Sequence, residues 1–147
     1  MPDRDIELLL VEDNPQDVEL TLNALREQRL ANRVHVVRDG AEALEFAFCT
    51  GAYAQRRPDR RPKLILLDLK LPKVSGLQVL ERLKSDPRTR TIPVVVLTSS
   101  REDADIKTAY NLGVNSYIVK PVDFAQLIGA ARQLGFYWLL LNQPPER

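Results

Sequence analysis

One stretch restricts this chain more than any other: Lys63-Leu64-Ile65-Leu66-Leu67-Asp68-Leu69-Lys70-Leu71-Pro72. Four apolar residues run without alternation into a single carboxylate. A strand that is apolar on both faces belongs to a parallel sheet covered by helices on either side. Asp68 then lies at the carboxyl end of that strand, where open α/β sheets place their ligands. A carboxylate at the end of a dry strand requires a metal, a cation or hydrogen-bond donors to offset its burial. Whatever else reaches that point decides what the chain does.

The rest of the sequence supplies the sheet. Ile6–Val11 reads as a first buried strand that ends in Glu12-Asp13. Asn14 is a good N-cap, Pro15 suits the first helical position, and Asp17 favours the positive end of a helix. Val18, Leu22 and Leu25 recur at helical spacing, and this helix is predicted to run to about Arg29. Val34–Val37 reads as a second strand. Asp39 and Glu42 form a capping-box variant for a second helix with Ala43, Leu44, Ala47 and Phe48 on its apolar side. Gly51 is the predicted stop, and Ala52 to Pro62 reads as a polar surface loop. After Asp68, Ser75-Gly76-Leu77-Gln78 is a further capping box. Leu77, Leu80 and Leu83 follow, and Asp86-Pro87 ends the helix. Ile92–Leu97 is a fourth strand, ending in Thr98-Ser99-Ser100. A fourth helix carries Ile106, Ala109 and Tyr110 and stops at Gly113. Ser116–Val119 is a short fifth strand that ends in Lys120-Pro121. Asp123 caps a last helix through Phe124, Leu127, Ile128, Ala131 and Leu134.

Five strands alternating with five helices predict an α/β fold. It is a doubly wound five-stranded parallel sheet with right-handed crossovers, in the flavodoxin-like order 2-1-3-4-5. The chain of 147 residues suits one domain. Its core is expected at about residues 6–134, with an extended last helix and short tail over 135–147. Hydrophobic residues at 44% supply a real core, and a net charge of +1 gives no global case for nucleic acid. No apolar run reaches the ~20 residues that a membrane span needs. Met1-Pro2-Asp3-Arg4-Asp5 is no signal peptide. One cysteine, Cys49, excludes a disulfide within the chain and fits a cytoplasmic location.

In the proposed strand order, Glu12-Asp13, Asp68, Thr98 and Lys120 sit at the carboxyl ends of strands one, three, four and five. Singly, each has a structural reading: a helix cap, a turn former, a strand-end hydroxyl, an ion-paired lysine. Together they place three acids, a hydroxyl and an amine in one crevice. Clustered carboxylates repel unless a cation sits among them. Oxygen donors without His or Cys point to Mg²⁺ or Mn²⁺. A carboxylate beside such an ion can act as a nucleophile on phosphorus and form an acyl phosphate. The ion, Lys120 and Thr98 would stabilise the transferred group.

These residues, with Leu71-Pro72, Gly76, Ser99 and Pro121, resemble the receiver domain of two-component response regulators over about Ile6 to Leu134. The resemblance implies that Asp68 takes phosphate from a phosphohistidine on a sensor histidine kinase. It also implies that Asp13, Asp68 and the Lys70 carbonyl hold Mg²⁺, with Glu12 acting largely through water. Lys120 would contact a phosphoryl oxygen, and the Lys120-Pro121 bond would be cis. Thr98 and Tyr117 would form the switch that remodels the face built from helix four, strand five and helix five. With no output domain after the last helix, the expectation is a stand-alone receiver that catalyses its own phosphorylation and dephosphorylation without being an enzyme.

Gly135-Phe136-Tyr137-Trp138-Leu139-Leu140-Leu141 is apolar beyond the needs of one helix face. A homodimer through the switch face is expected, with Phe136, Tyr137 and Trp138 at its edge. This tail and the long middle loop resemble single-domain regulators paired with bacterial phytochrome kinases. Arg56, Arg57, Arg60 and Arg61 read as a solvated loop rather than a nucleic-acid surface. His35, the lone histidine, reads as a packing residue, so the phosphohistidine must come from another protein. Two other classes compete. A Mg²⁺-dependent phosphatase with an aspartyl nucleophile would need a second acid near Asp68, where Lys70 stands. A flavin module would need a phosphate cradle after strand one, where Asp13 puts negative charge.

Overall fold

The computed structural model describes residues 8–26, 33–58, 61–99, 103–123, 125–127 and 129–130. Within them five strands alternate with helices. The elements are β1 Leu8–Val11, α1 Pro15–Arg26, β2 Val34–Val37, α2 Gly40–Phe48, β3 Leu64–Asp68, α3 Gly76–Ser85, β4 Val94–Thr98, α4 Asp103–Asn111 and β5 Ser116–Val119. Residues 125–127 and 129–130 are also helical. Every strand pair is parallel, in the order β2-β1-β3-β4-β5. This is the sheet that the apolar runs predict.

The three central strands, β1, β3 and β4, are buried on both faces because their side chains alternate between two cores. Leu8, Leu10, Leu64, Leu66, Val95 and Leu97 join Val18 and Leu25 of α1 and Leu127 on one side. Leu9, Val11, Ile65, Leu67, Val94 and Val96 join Phe46 of α2, Leu80 and Leu83 of α3 and Ala109 of α4 on the other. Each fully buried leucine contributes about 1.5–3 kcal/mol of transfer free energy. The ladder pairs Leu8 with Leu64 and Asp68 with Leu97, so β1, β3 and β4 terminate together at one edge of the sheet.

Caps set the helix starts. Asn14 Oδ1 accepts from the amides of Gln16 and Asp17 at 2.9 and 3.0 Å. Ser75 and Gln78 form a complete capping box, and Asp123 and Gln126 exchange the same two bonds at 2.9 Å. At α2, Asp39 Oδ1 accepts from the Glu42 amide at 2.7 Å. Glu42 reaches back past the cap to the amide of Arg38, at 3.1 Å.

Two expectations change. α2 does not stop at Gly51. Cys49, with φ 57°, forms the left-handed cap and returns its amide to Glu45 O. Gly51 instead opens a 3-10 turn, Gly51–Tyr53, inside what reads as a plain loop. The arginine loop is also tied to the fold: Arg56 lies 3.9 Å over the Phe46 ring. Arg61 Nε donates to Ala47 O at 3.2 Å, satisfying a carbonyl near the end of α2. His35 does pack, stacked on Phe46 with centroids 4.6 Å apart. It also meets the Tyr53 hydroxyl at 3.0 Å, and that hydroxyl donates to Glu42 at 2.6 Å. Burial holds the His35 ring below its usual pKa, outweighing the nearby Glu42. No helix among the described residues is long and apolar enough to cross a membrane.

Candidate functional site

Asp68 is the last residue of β3 and is 4% exposed. Its Oδ1 accepts from the Lys70 amide at 3.3 Å, which holds the Lys70 main chain beside the carboxylate. Its Oδ2 lies 3.3 Å from Lys120 Nζ. Gly76 makes this strand end accessible to α3. The Gly76 amide donates to Leu69 O at 2.9 Å. A Cβ at this position would lie 2.3 Å from Asp68 O and 2.5 Å from Leu69 Cα. Only a residue without a side chain lets the helix start this close.

Glu12 follows β1 and is wholly buried. Its amide donates to Val37 O at 3.0 Å, extending the ladder by one residue. Oε2 accepts from the Asn14 amide at 3.2 Å. Oε1 lies 2.6 Å from Lys120 Nζ, but off the direction of a well-formed hydrogen bond, and no other described group serves it. Asp13 is exposed beside it. Glu12, Asp13 and Asp68 each offer an oxygen within 4.8 Å of the others. At that spacing each ionised pair repels by about 3.5 kcal/mol or more at an effective dielectric of about 20.

The charges answer one another. Burial pushes the Glu12 carboxyl up to about 7; the Lys120 ammonium opposes the rise and Asp68 reinforces it. Burial opposes the charge on Lys120, but Glu12, Asp17 and Asp68 outweigh it and hold the ammonium above lysine's usual range. Three carboxylate oxygens in one small triangle, with a buried Glu12 oxygen that lacks a well-directed donor, fit a hard divalent cation.

Thr98 ends β4, is 1% exposed, and its carbonyl accepts from the Lys120 amide at 2.8 Å. The Lys120-Pro121 bond is cis. Glu12, Asp13, Asp68 and Lys120 therefore meet as the strand order requires. Lys70 contributes its main chain, and Thr98 stands on the adjoining strand. Tyr117 stands apart: it is 38% exposed and its ring meets Tyr110 edge-on at 6.1 Å. Phe136, Tyr137 and Trp138 lie outside the described residues. Sequence reasoning missed Asp17, whose Oδ2 accepts from Lys120 Nζ at 3.0 Å. An acid in the first turn of a helix after a strand-end acid pair was the available signal.

Residues 8–132 match the response regulator receiver domain. The structure of the bacteriophytochrome response regulator AtBRR superposes with a TM-score of 0.81 at 55% identity, covering 92% of this chain and 96% of that one. The phosphorylated cyanobacterial phytochrome response regulator RcpA gives 0.76 and 42%, covering 92% and 95%. Response regulator Rcp1 of Synechocystis is 38% identical over 132 residues, which are 90% of this chain and 88% of Rcp1. The Mn²⁺-bound form of Rcp1 superposes with a TM-score of 0.75 at 36% identity, covering 95% and 98%. With the acid triangle, the strand-end hydroxyl and the lysine in place on this sheet, the chain belongs to the response regulator receiver domain family.

Proposed function

We propose that this chain is a stand-alone response regulator in which Asp68 accepts a phosphoryl group from a sensor histidine kinase. One observation carries the reading: Asp68 lies within 4.8 Å of two further carboxylates and 3.3 Å from the half-buried Lys120, all at one sheet edge. Receiver domains take phosphoryl groups from histidine kinases. Asp13, Asp68 and the Lys70 carbonyl would hold Mg²⁺ or Mn²⁺, with Glu12 acting largely through water. The cation would neutralise charge on the oxygens of the transferred group.

In the transfer, an Asp68 oxygen attacks phosphorus and a P–O bond forms. The P–N bond of the phosphoimidazole breaks, and the ring nitrogen keeps the electron pair. Lys120 and the Thr98 hydroxyl bind phosphoryl oxygens. The same groups serve self-catalysed phosphorylation and dephosphorylation, so the protein is a phosphoacceptor rather than a turnover enzyme. The receiver-domain match and the position of Lys70 both favour this over a phosphatase.

Thr98 and Tyr117 are the switch in this reading. Tyr117 stands outward against Tyr110, and movement of Thr98 toward the phosphoryl group opens space for the ring to turn in. That shifts a two-state equilibrium on the face of α4, β5 and the last helix. A homodimer forms through this face, with Phe136, Tyr137 and Trp138 at its edge. The exposed Tyr110 and Tyr117 support it. The likeness to AtBRR and RcpA supports a bacteriophytochrome as the kinase, and the lone Cys49 fits a cytoplasmic location. Arg56 and Arg61, held against α2, support a protein rather than a nucleic-acid partner.

The test is phosphotransfer from an autophosphorylated bacteriophytochrome kinase in Mg²⁺. Label should pass to the wild-type chain and not to Asp68→Asn. Label on Asp68→Asn would refute the assignment of the acceptor.

A further inference from the structure

Among the described residues, Lys120 Nζ has three carboxylate neighbours: Glu12 Oε1 at 2.6 Å, Asp17 Oδ2 at 3.0 Å and Asp68 Oδ2 at 3.3 Å. They differ in kind. Only the Asp17 contact has the geometry of a hydrogen bond. Asp17 is also held from the other side, because its amide donates to Asn14 Oδ1 at 3.0 Å. It sits at the third position of α1, outside the acid triangle of Glu12, Asp13 and Asp68. Its side chain is 28% exposed, whereas that of Lys120 is 10% exposed.

An ammonium has three N–H donors on one rotor. A well-formed bond to a fixed acceptor sets the rotor and so aims the other two. We propose that Asp17 is a positioning residue for phosphoryl transfer: anchored by the Asn14 cap, it fixes the Lys120 ammonium so that a donor faces the Asp68 oxygen where the phosphoryl group arrives. The inference rests on the reading of Asp68 as the acceptor. Asp17 touches neither the reacting atoms nor the cation; it acts through Lys120. Orientation of this kind lowers the barrier because the donor does not reorganise during the reaction.

The experiment uses acetyl phosphate at saturating Mg²⁺ with the full chain. An Asp68 oxygen forms the new P–O bond, the old P–O bond breaks, and acetate leaves with the electron pair. Asp17→Ala should lower the initial rate about tenfold, the scale of one charge-assisted hydrogen bond. Asp17→Asn keeps an acceptor oxygen at the same place and should recover the rate to within about twofold to threefold. Mg²⁺ affinity, measured by calorimetry, should stay within about twofold in both, because neither variant touches the acid triangle. On a Lys120→Ala background, Asp17→Ala should cost nothing further, as residues acting through one contact are not additive.

Two results would overturn the inference alone: Asp17→Ala at the wild-type rate while Lys120→Ala is slow, or a full further loss from Asp17→Ala on the Lys120→Ala background. If Lys120→Ala itself reacts at the wild-type rate, the reading of the site beneath it falls as well.

Discussion

Glu12 carries the most unusual balance of forces among the single residues. It is wholly buried, and burial raises its carboxyl from the ordinary 4.5 to about 7 against the pull of Lys120. The sign of its effect on stability follows from linkage. Between pH 4.5 and about 7 the folded protein holds a proton on Glu12 that the unfolded chain has released. The Glu12 contribution is therefore fully present below 4.5 and is lost as pH rises through 7. Urea denaturation of the metal-free protein should show this decline, and Glu12→Gln should flatten it. A wild-type profile that rises over that window while Glu12→Gln stays flat would contradict the account. Asp86 shows the opposite direction: hydrogen bonds from Arg88 hold it down near 2, so its charge is retained throughout the same range.

At the level of elements, β3 and α3 form the working pair, since the helix begins where the strand delivers Asp68. Gly76→Ala should destabilise the protein by about 2 kcal/mol, because a Cβ would press on backbone atoms that cannot move aside. Leu66→Ala, at a position 1% exposed in the middle of β3, should cost about 3 kcal/mol. Denaturant midpoints measure both, and a Gly76→Ala midpoint equal to wild type would refute the close-approach argument. The strands and their order are readable in advance because an unbroken apolar run has few other uses in a small domain. The helix starts are equally readable, because Asn14, Asp39, Ser75 and Asp123 bond locally to amides within three residues. Less of the rest is local. A left-handed Cys49 leaves no trace in residue type, so the next glycine looks like the stop. Asp17 already had a sufficient role as a helix-start acid, and its partner lies 103 residues away. The outward face of Tyr117 follows from the alternation of β5, but its edge-on contact with Tyr110 joins two elements and is not specified by period-two patterning.

Across the whole molecule, the sheet separates a chemical edge from a docking face. The acids and Lys120 gather where β1, β3 and β4 end, while Tyr110 and Tyr117 present aromatic surface beside β5. If that face pairs with a second copy, sedimentation of Trp138→Ala should shift the balance toward monomer relative to wild type. An unchanged balance would remove the tail from the dimer edge. Every larger claim depends on the acyl phosphate at Asp68, and its direct test is chemical trapping. After reaction with acetyl phosphate and Mg²⁺, borohydride reduces an aspartyl phosphate to homoserine, which peptide mapping locates. The account predicts homoserine at position 68 and, after removal of Mg²⁺ by chelation, almost none. Homoserine at position 13, or none at 68 with Mg²⁺ present, would contradict it.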